Sequence, residues 1–234
     1  MLFLRRLYCL MTNRAVRCPL AMQRCYKSVR VFNNPLLERL THVHPAVPLL
    51  LWGPVVSFLI WRAVRIHHLN TMSLGGVALL ALFSWTLAEY FLHRMIFHFE
   101  GKSALAKRLH FLIHGLHHED PQDFTRLVMP PVASLILAIM IFPLFYLLLG
   151  PVWGEAFFGF FVVGYLCYDY AHFYMHRFSP QSNIGKSLKN HHMQHHYVNP
   201  NSRWGVSTPL WDFVFGTLES SEQKPHPTQH SFMR

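Results

Sequence analysis

Ten histidines in four groups carry the chemistry of this 234-residue chain. They read His93-x4-His98, His114-x2-His117-His118, His172-x3-His176 and His192-x2-His195-His196. Neutral imidazole is a nitrogen donor for iron, copper, zinc and nickel. Ten imidazoles are too many for one ion and enough for two. On an α-helix, residues three and four apart share a face. The spacing therefore predicts one imidazole patch from His114, His117 and His118, and a second from His192, His195 and His196. His172 and His176 can chelate one ion or straddle two. His93 and His98 are five apart, a rotation of about 500°, which leaves them roughly 140° off a common face. Either they serve different metals or the helix breaks between them.

Further polar residues gather around these motifs. His110, four before His114, is a further ligand or an outer hydrogen-bonding group. His191 stands out of register with the HxxHH spacing and could add a metal contact. Glu89, four before His93, and Asp169, three before His172, are placed to accept the second N–H of metal-bound imidazoles. Asp212 in Trp211-Asp212-Phe213 reads as a structural anchor. His42, His44, His67, His68, His226 and His230 stand outside the motifs and read as ordinary structural histidines. The Glu-x-x-His pairs of soluble di-iron bundles are absent, and so is the H-E-x-x-H of hydrolytic zinc sites. An all-nitrogen donor set beneath an apolar bundle suits a dinuclear iron oxidant acting on an unactivated C–H bond, which acid–base groups cannot cleave.

The elements that hold these donors are apolar. Hydrophobic residues make up 52% of the chain and charged residues 14%, well below the roughly 25% charged of a soluble domain. Leu69 to Ala88 and Leu127 to Gly154 carry no ionised side chain, and each exceeds the ~18 residues of a spanning helix. Pro45 to Trp61 and Ala156 to Tyr168 are shorter apolar runs. The expected fold is all-α: a polytopic membrane protein with about four transmembrane helices and a cytosolic helical cap holding the dinuclear site. Gly150-Pro151 turns the chain between the third and fourth spans. With that topology, nineteen of the twenty-one Lys and Arg fall on one side, the positive-inside pattern. The formal charge of +10 then reads as topology and headgroup contact. No nucleic-acid-binding motif accompanies it.

Residues 1–45 form a basic N-terminal arm, residues 46–218 the membrane domain and residues 219–234 a tail. Residues 1–37 contain no Asp or Glu and seven Lys or Arg. Such a segment is a cytosolic tail or an organellar targeting sequence. The four cysteines form no CxxC and imply no disulfide framework.

The segments Glu89-Tyr90-Phe91-Leu92-His93-Arg94, His114-Gly115-Leu116-His117-His118, His172-Phe173-Tyr174-Met175-His176, His192-Met193-Gln194-His195-His196 and Trp211-Asp212-Phe213-Val214-Phe215-Gly216-Thr217 resemble the fatty acid 2-hydroxylases of the sterol desaturase/fatty acid hydroxylase superfamily. The likeness runs from about Val47 to Leu218. The His-Gly-x-His-His unit followed by Arg126-Leu127-Val128 and Pro130-Pro131 is its most specific part. The resemblance implies a di-iron membrane monooxygenase of the endoplasmic reticulum that 2-hydroxylates the acyl chain of ceramide-type sphingolipids. It implies two iron ions, with zinc an easy substitute in purified samples, molecular oxygen as co-substrate, and the ten patterned histidines as ligands. It also implies electrons from cytochrome b5 and its reductase. Only His44-Pro45 precedes the first span as a His-Pro pair, so no haem motif is seen there, and a short form with a separate donor and both termini cytosolic is expected. His191 stands where relatives carry Tyr. Another superfamily activity, a sterol, carotenoid or alkyl-lipid oxidase or desaturase, remains the alternative. A metal transporter would set ionisable groups along the span middles, where this chain has none.

Overall fold

The computed structural model describes residues 28–99 and 101–218, all helix, turn and loop with no strand among them. Residues 1–27 of the expected basic N-terminal arm, and the tail from residue 219, lie outside the described residues. The elements below belong to the compact unit that begins at Phe32.

A short helix α1, Pro35–Leu40, is capped by Asn34, whose side chain accepts from the Leu36 and Leu37 amides. Proline at its first position has no amide hydrogen to leave unpaired. Helix α2 spans Val47–Arg65. Helix α3 spans Thr71–Phe91, starts on an Asn70 cap and runs into a π turn at Leu92–Phe97. Helix α4, Ala104–His110, is capped by Ser103 and also continues as a π turn, Phe111–Gly115, before the one-turn helix α5, Leu116–Glu119. A 3-10 turn at Phe124–Arg126 precedes α6, Pro131–Arg177. Helix α7, Asn183–Tyr197, and the short α8, Leu210–Val214, complete the order.

Three stretches are long and apolar enough to cross a membrane: Val47–Arg65, Thr71–Phe97 and Phe124–Arg177. About four spans were expected; the last stretch carries the third and fourth as two helical arms that meet at Gly150. Its helix α6 has 47 residues, which would run about 70 Å if straight, more than twice the ~30 Å of a hydrocarbon core. It folds back at Gly150, whose φ of 76° and ψ of 171° lie in a region essentially reserved for glycine. Phe142 packs on Phe158 and Phe145 on Phe157, at 5.1 and 4.7 Å between ring centroids, as in an antiparallel hairpin. The arms meet so closely that a Cβ on Gly154 would stand 2.7 Å from the Phe145 carbonyl oxygen.

The core is aromatic. Trp52, Val56 and Leu59 of α2 and Trp85 of α3 pack on Phe157, Phe158, Phe161 and Tyr165 of α6. Trp85 meets Phe161 edge-on at 5.1 Å, an arrangement favoured by the ring quadrupole. Leu79, Leu80, Ile139, Met140 and Leu147 point outward. In water such a surface would drive aggregation, whereas against lipid it is the required exterior. At one end of the bundle Arg62 grips Glu155 with two hydrogen bonds, 2.8 and 3.1 Å, and His67 joins at 3.3 Å. The histidine motifs gather at the other end.

Candidate metal centre

All ten patterned histidines converge, in two groups of five. The first contains His93, His98, His114, His118 and His195, and the second His117, His172, His176, His192 and His196. Within each group one ring nitrogen per residue lies within 4.8 Å of all the others. The groups adjoin, with the His118 and His196 rings stacked at 4.2 Å.

The HxxHH units behave differently from the patch expected of them. His114 and His118 enter the first group while His117 enters the second; His192 and His196 enter the second while His195 enters the first. Consecutive helix residues diverge by about 100°, so adjacent imidazoles aim at neighbouring sites. Each unit thus bridges both groups, in opposite senses. The i,i+4 pair His172 and His176 stays together. His93 and His98 also share one group, because the chain is not α-helical between them. The His98 amide bonds to the His93 carbonyl at 3.2 Å, a π-type i→i+5 bond, and the wider turn shortens the rotation that would separate them. Such π turns recur at functional sites.

The spacing of the donors fits a metal. Nε2 atoms stand 3.1 Å apart for His93 and His114, His114 and His118, and His98 and His195. In the second group the separations are 2.9 Å for His172 and His117, 2.8 Å for His176 and His192, and 3.1 Å for His196 against both His117 and His192. With metal–nitrogen bonds of about 2.0–2.1 Å, donors at right angles stand about 3 Å apart and tetrahedral donors about 3.4 Å. The clusters therefore suit five- or six-coordinate ions better than tetrahedral ones. The Nδ1 atoms of His93, His195 and His172 donate to the carbonyls of Trp204, Ser202 and Leu127, at 2.6, 2.7 and 3.1 Å. A ring that donates through Nδ1 bears a lone pair on Nε2, so lone pairs face one another inside each cluster. Protonation does not relieve that repulsion. Burial, then the facing imidazoles, hold His114, His117, His192, His195 and His196 well below the ordinary histidine range, and hold His118 at about 3. A shared cation relieves it.

The neighbouring candidates fall outside the clusters. His110 is half-buried, 6.3 Å from the His98 ring centroid, and in neither group. His191 meets Asp212 Oδ2 at 3.1 Å instead of a donor site. Glu89 and Asp169, expected to accept imidazole N–H groups, hydrogen-bond to no imidazole among the described residues. Glu89 accepts from the Val206 and Ser207 amides, at 2.6 and 2.8 Å, and from the Ser207 hydroxyl. Asp169 accepts from the Met129 amide at 3.0 Å. Each carboxylate is one step further out: it pins the loop whose carbonyl receives the imidazole. Asp212, fully buried, does the same with the Trp204 and Gly205 amides, both at 2.8 Å, and with the Thr217 hydroxyl at 2.7 Å. Burial opposes its ionisation, but bonds from His191, Thr217, Gly205 and Trp204 outweigh that and hold its carboxyl below the usual range. The orienting carbonyls of Leu127, Ser202 and Trp204 leave no mark in a sequence, although Arg126-Leu127-Val128 stood out as a motif.

An apolar cleft of about 330 Å³ is lined by Ala88, Phe91, Leu92, Met95, Ile96 and Ile141, with Leu92 next to the cluster residue His93 in the chain. A smaller enclosed space of about 30 Å³ shares Leu92 and Ile141 with it and reaches Trp52, Trp85 and Ser134.

The fatty acid hydroxylase family model matches residues 78–217, a stretch that includes all ten donors. The chain belongs to the fatty acid hydroxylase family. It is 38% identical over 195 residues to a dihydroceramide fatty acyl 2-hydroxylase of Arabidopsis thaliana, covering 83% of this chain and 81% of that protein. It is 36% identical over 222 residues to the fatty acid 2-hydroxylase of Homo sapiens, covering 86% of this chain and 59% of the human protein. The solved structure of full-length Scs7p, in which only the hydroxylase domain is visible, superposes with a TM-score of 0.76 at 39% identity, covering 81% of this chain and 72% of that one. This hydroxylase is thus an enzyme of the membrane, and its histidine clusters could hold metal.

Proposed function

We propose that this hydroxylase places a 2-hydroxyl on the fatty acyl chain of a ceramide-type sphingolipid, with two iron ions and molecular oxygen. The observation that carries the reading is the pair of five-imidazole clusters with right-angle donor spacing, in a chain 38% identical to a dihydroceramide fatty acyl 2-hydroxylase. His93, His98, His114, His118 and His195 would hold one ion, and His117, His172, His176, His192 and His196 the other. Bound there, the pair would supply the redox chemistry that lets molecular oxygen oxidise an unactivated C–H bond. The protein does the rest. Leu92, next to the donor His93, and Met95 and Ile96, between His93 and His98, offer an acyl chain an apolar wall that excludes water. The carbonyls of Trp204, Ser202 and Leu127 orient the donors.

The chain carries no haem, flavin or four-cysteine motif, so two electrons per turnover come from outside, in this reading from cytochrome b5 and its reductase. Lys102, Lys107, Arg108 and Lys186 are exposed at the cluster end and would steer an acidic donor. Arg126, also basic and in this region, is buried in ion pairs and is not part of that surface. The assigned compartment is the endoplasmic reticulum membrane, with the clusters and both termini on the cytosolic side, as the Lys and Arg distribution favours.

Expression with acyl-chain lipid analysis tests the reading. A rise in 2-hydroxylated sphingolipid is expected, dependent on an added cytochrome b5 and declining above ~0.15 M salt, where charges beyond about 8 Å are screened. Folded, iron-loaded protein that makes no such lipid with its donor present would sink the substrate assignment.

A further inference from the structure

Arg126 touches no donor nitrogen, yet it is among the most heavily bonded side chains of the cluster end. It is 6% exposed. Its guanidinium donates to Glu38 Oε1 at 2.7 Å, to Thr41 Oγ1 at 2.8 and 3.1 Å, and to His42 Nε2 at 3.1 Å. Asp123 Oδ2 lies 3.6 Å away. The backbones are tied as well: the Val43 amide donates to the Thr125 carbonyl at 2.7 Å. The segment that precedes the first span is thereby clamped onto the turn at residues 123–129. The next residue along that turn is Leu127, whose carbonyl accepts from His172 Nδ1 at 3.1 Å. That is the one Nδ1–carbonyl hydrogen bond of ordinary geometry among the described residues of the second cluster.

We propose that Arg126 is a positioning residue for the second cluster: by clamping residues 38–43 onto the 123–129 turn, it holds the Leu127 carbonyl against His172 and so sets how firmly that cluster keeps its ion. The inference rests on the two-ion reading above. The outer hydrogen-bond partners of metal ligands characteristically change metal hold by about 10–100-fold; here that partner is the Leu127 carbonyl, through which Arg126 acts. Arg126 suits the task because its planar fork holds five donors in a fixed geometry, whereas a lysine offers three on a single freely rotating nitrogen. A purely structural clamp exists in the same molecule for comparison. Arg62 holds Glu155 with two hydrogen bonds and has no link to either cluster.

The test counts metal in the purified full-length chain and needs no substrate. Native protein, Arg126→Gln, Arg126→Lys, Glu38→Gln and Arg62→Gln are loaded with iron, washed with a graded chelator and analysed for iron per chain and melting temperature. Arg126→Gln is expected to keep the first ion as native protein does and to hold the second about 10–100-fold less tightly. Arg126→Lys should recover part of the loss, and Glu38→Gln should reproduce a smaller version of it. Arg62→Gln should lower the melting temperature and leave the two ions' relative hold unchanged. Should Arg126→Gln not fold, Glu38→Gln carries the same comparison. An unchanged second ion in Arg126→Gln or its Glu38 counterpart overturns the proposal. So does parallel loss of both ions with a melting shift like that of Arg62→Gln. Native protein with no second ion would remove the two-ion reading and this inference with it, whereas normal metal behaviour without lipid product would count against the substrate alone.

Discussion

The two clusters share the two HxxHH motifs, take one further motif each, and are fastened differently. In the first, His93 and His195 are tied through Nδ1 to the Trp204 and Ser202 carbonyls of one loop. That loop is itself pinned by Asp212 and Glu89. In the second, only His172 makes such a bond, at 3.1 Å. His117, His192 and His196 bury Nδ1 with no partner among the described residues, and His176 turns toward the Pro121 carbonyl without closing a hydrogen bond of ordinary geometry. A bonded Nδ1–H fixes ring orientation and makes Nε2 a better donor. A buried unpaired N–H costs about 1–3 kcal/mol. The first cluster is therefore organised by the fold, and the second is left to be organised by its ion. One imidazole count and one donor type thus give two unequal sites, and the inequality lies entirely in groups that never touch a metal.

Donor deletion breaks the comparison most severely. His195→Ala and His117→Ala should each abolish turnover, because each removes a donor. Their metal contents should differ in kind: the first variant loses the ion of the first cluster and the second variant that of the second. Metal analysis with single-turnover assays checks this. Normal metal content after His117→Ala, or loss of both ions in parallel from both variants, would contradict the division of the HxxHH units.

Graded chelation of native protein is the next largest effect. One unpaired buried N–H already corresponds to roughly a tenfold difference in hold, and the second cluster has several. Its ion should leave first, in a phase that disappears in His117→Ala and persists in His195→Ala. A single phase for both ions would erase the distinction between the sites.

Much of this molecule was legible in the sequence, for identifiable reasons. The ten donors stood out because paired imidazoles at apolar helix ends have no inexpensive structural use. The hairpin of α6 was marked by Gly150-Pro151, a glycine only a turn would require. What the spacing hid was the allocation of donors. Helical periodicity groups His114, His117 and His118 on one face, yet with two clusters side by side a single face serves both. The His93 and His98 pair posed a choice between different metals and a broken helix; the π turn that places them together depends on backbone hydrogen bonding with no residue signature. Glu89 and Asp169 were conspicuous as rare acids, but their partners are backbone amides distant in sequence, Val206 and Ser207 for one and Met129 for the other. The Arg126 clamp joins residues some 85 positions apart, and periodicity carries no information at that range.

Smaller effects come from two of the three anchoring carboxylates, one for each cluster. Asp212→Ala leaves the Trp204 and Gly205 amides without their acceptor and should loosen the first cluster. Asp169→Ala frees the Met129 amide and should loosen the second. Each lost acceptor costs about 1–3 kcal/mol, and the two variants should each weaken the hold on a different ion. Iron retention measured side by side checks this, and identical shifts would show that the loops are not private to their clusters.

The smallest effect is the acid response of the first cluster's loop, read on metal-free protein. Asp212 is held below the usual carboxylate range, burial opposing and four hydrogen bonds prevailing. A group whose folded pKa is depressed binds fewer protons folded than unfolded, so its contribution to stability is complete above the unfolded value, near 3.9, and is lost as pH falls through the folded value. Asp212→Asn keeps the shape and removes the charge, and with it this dependence. Native protein should therefore lose melting temperature more steeply than Asp212→Asn on acidification below about pH 4, with the two curves running parallel above about pH 5. Equal slopes in the acid range would mean that the carboxylate charge is not what fastens the Trp204 loop, and the first cluster would then have no better electrostatic anchor than the second.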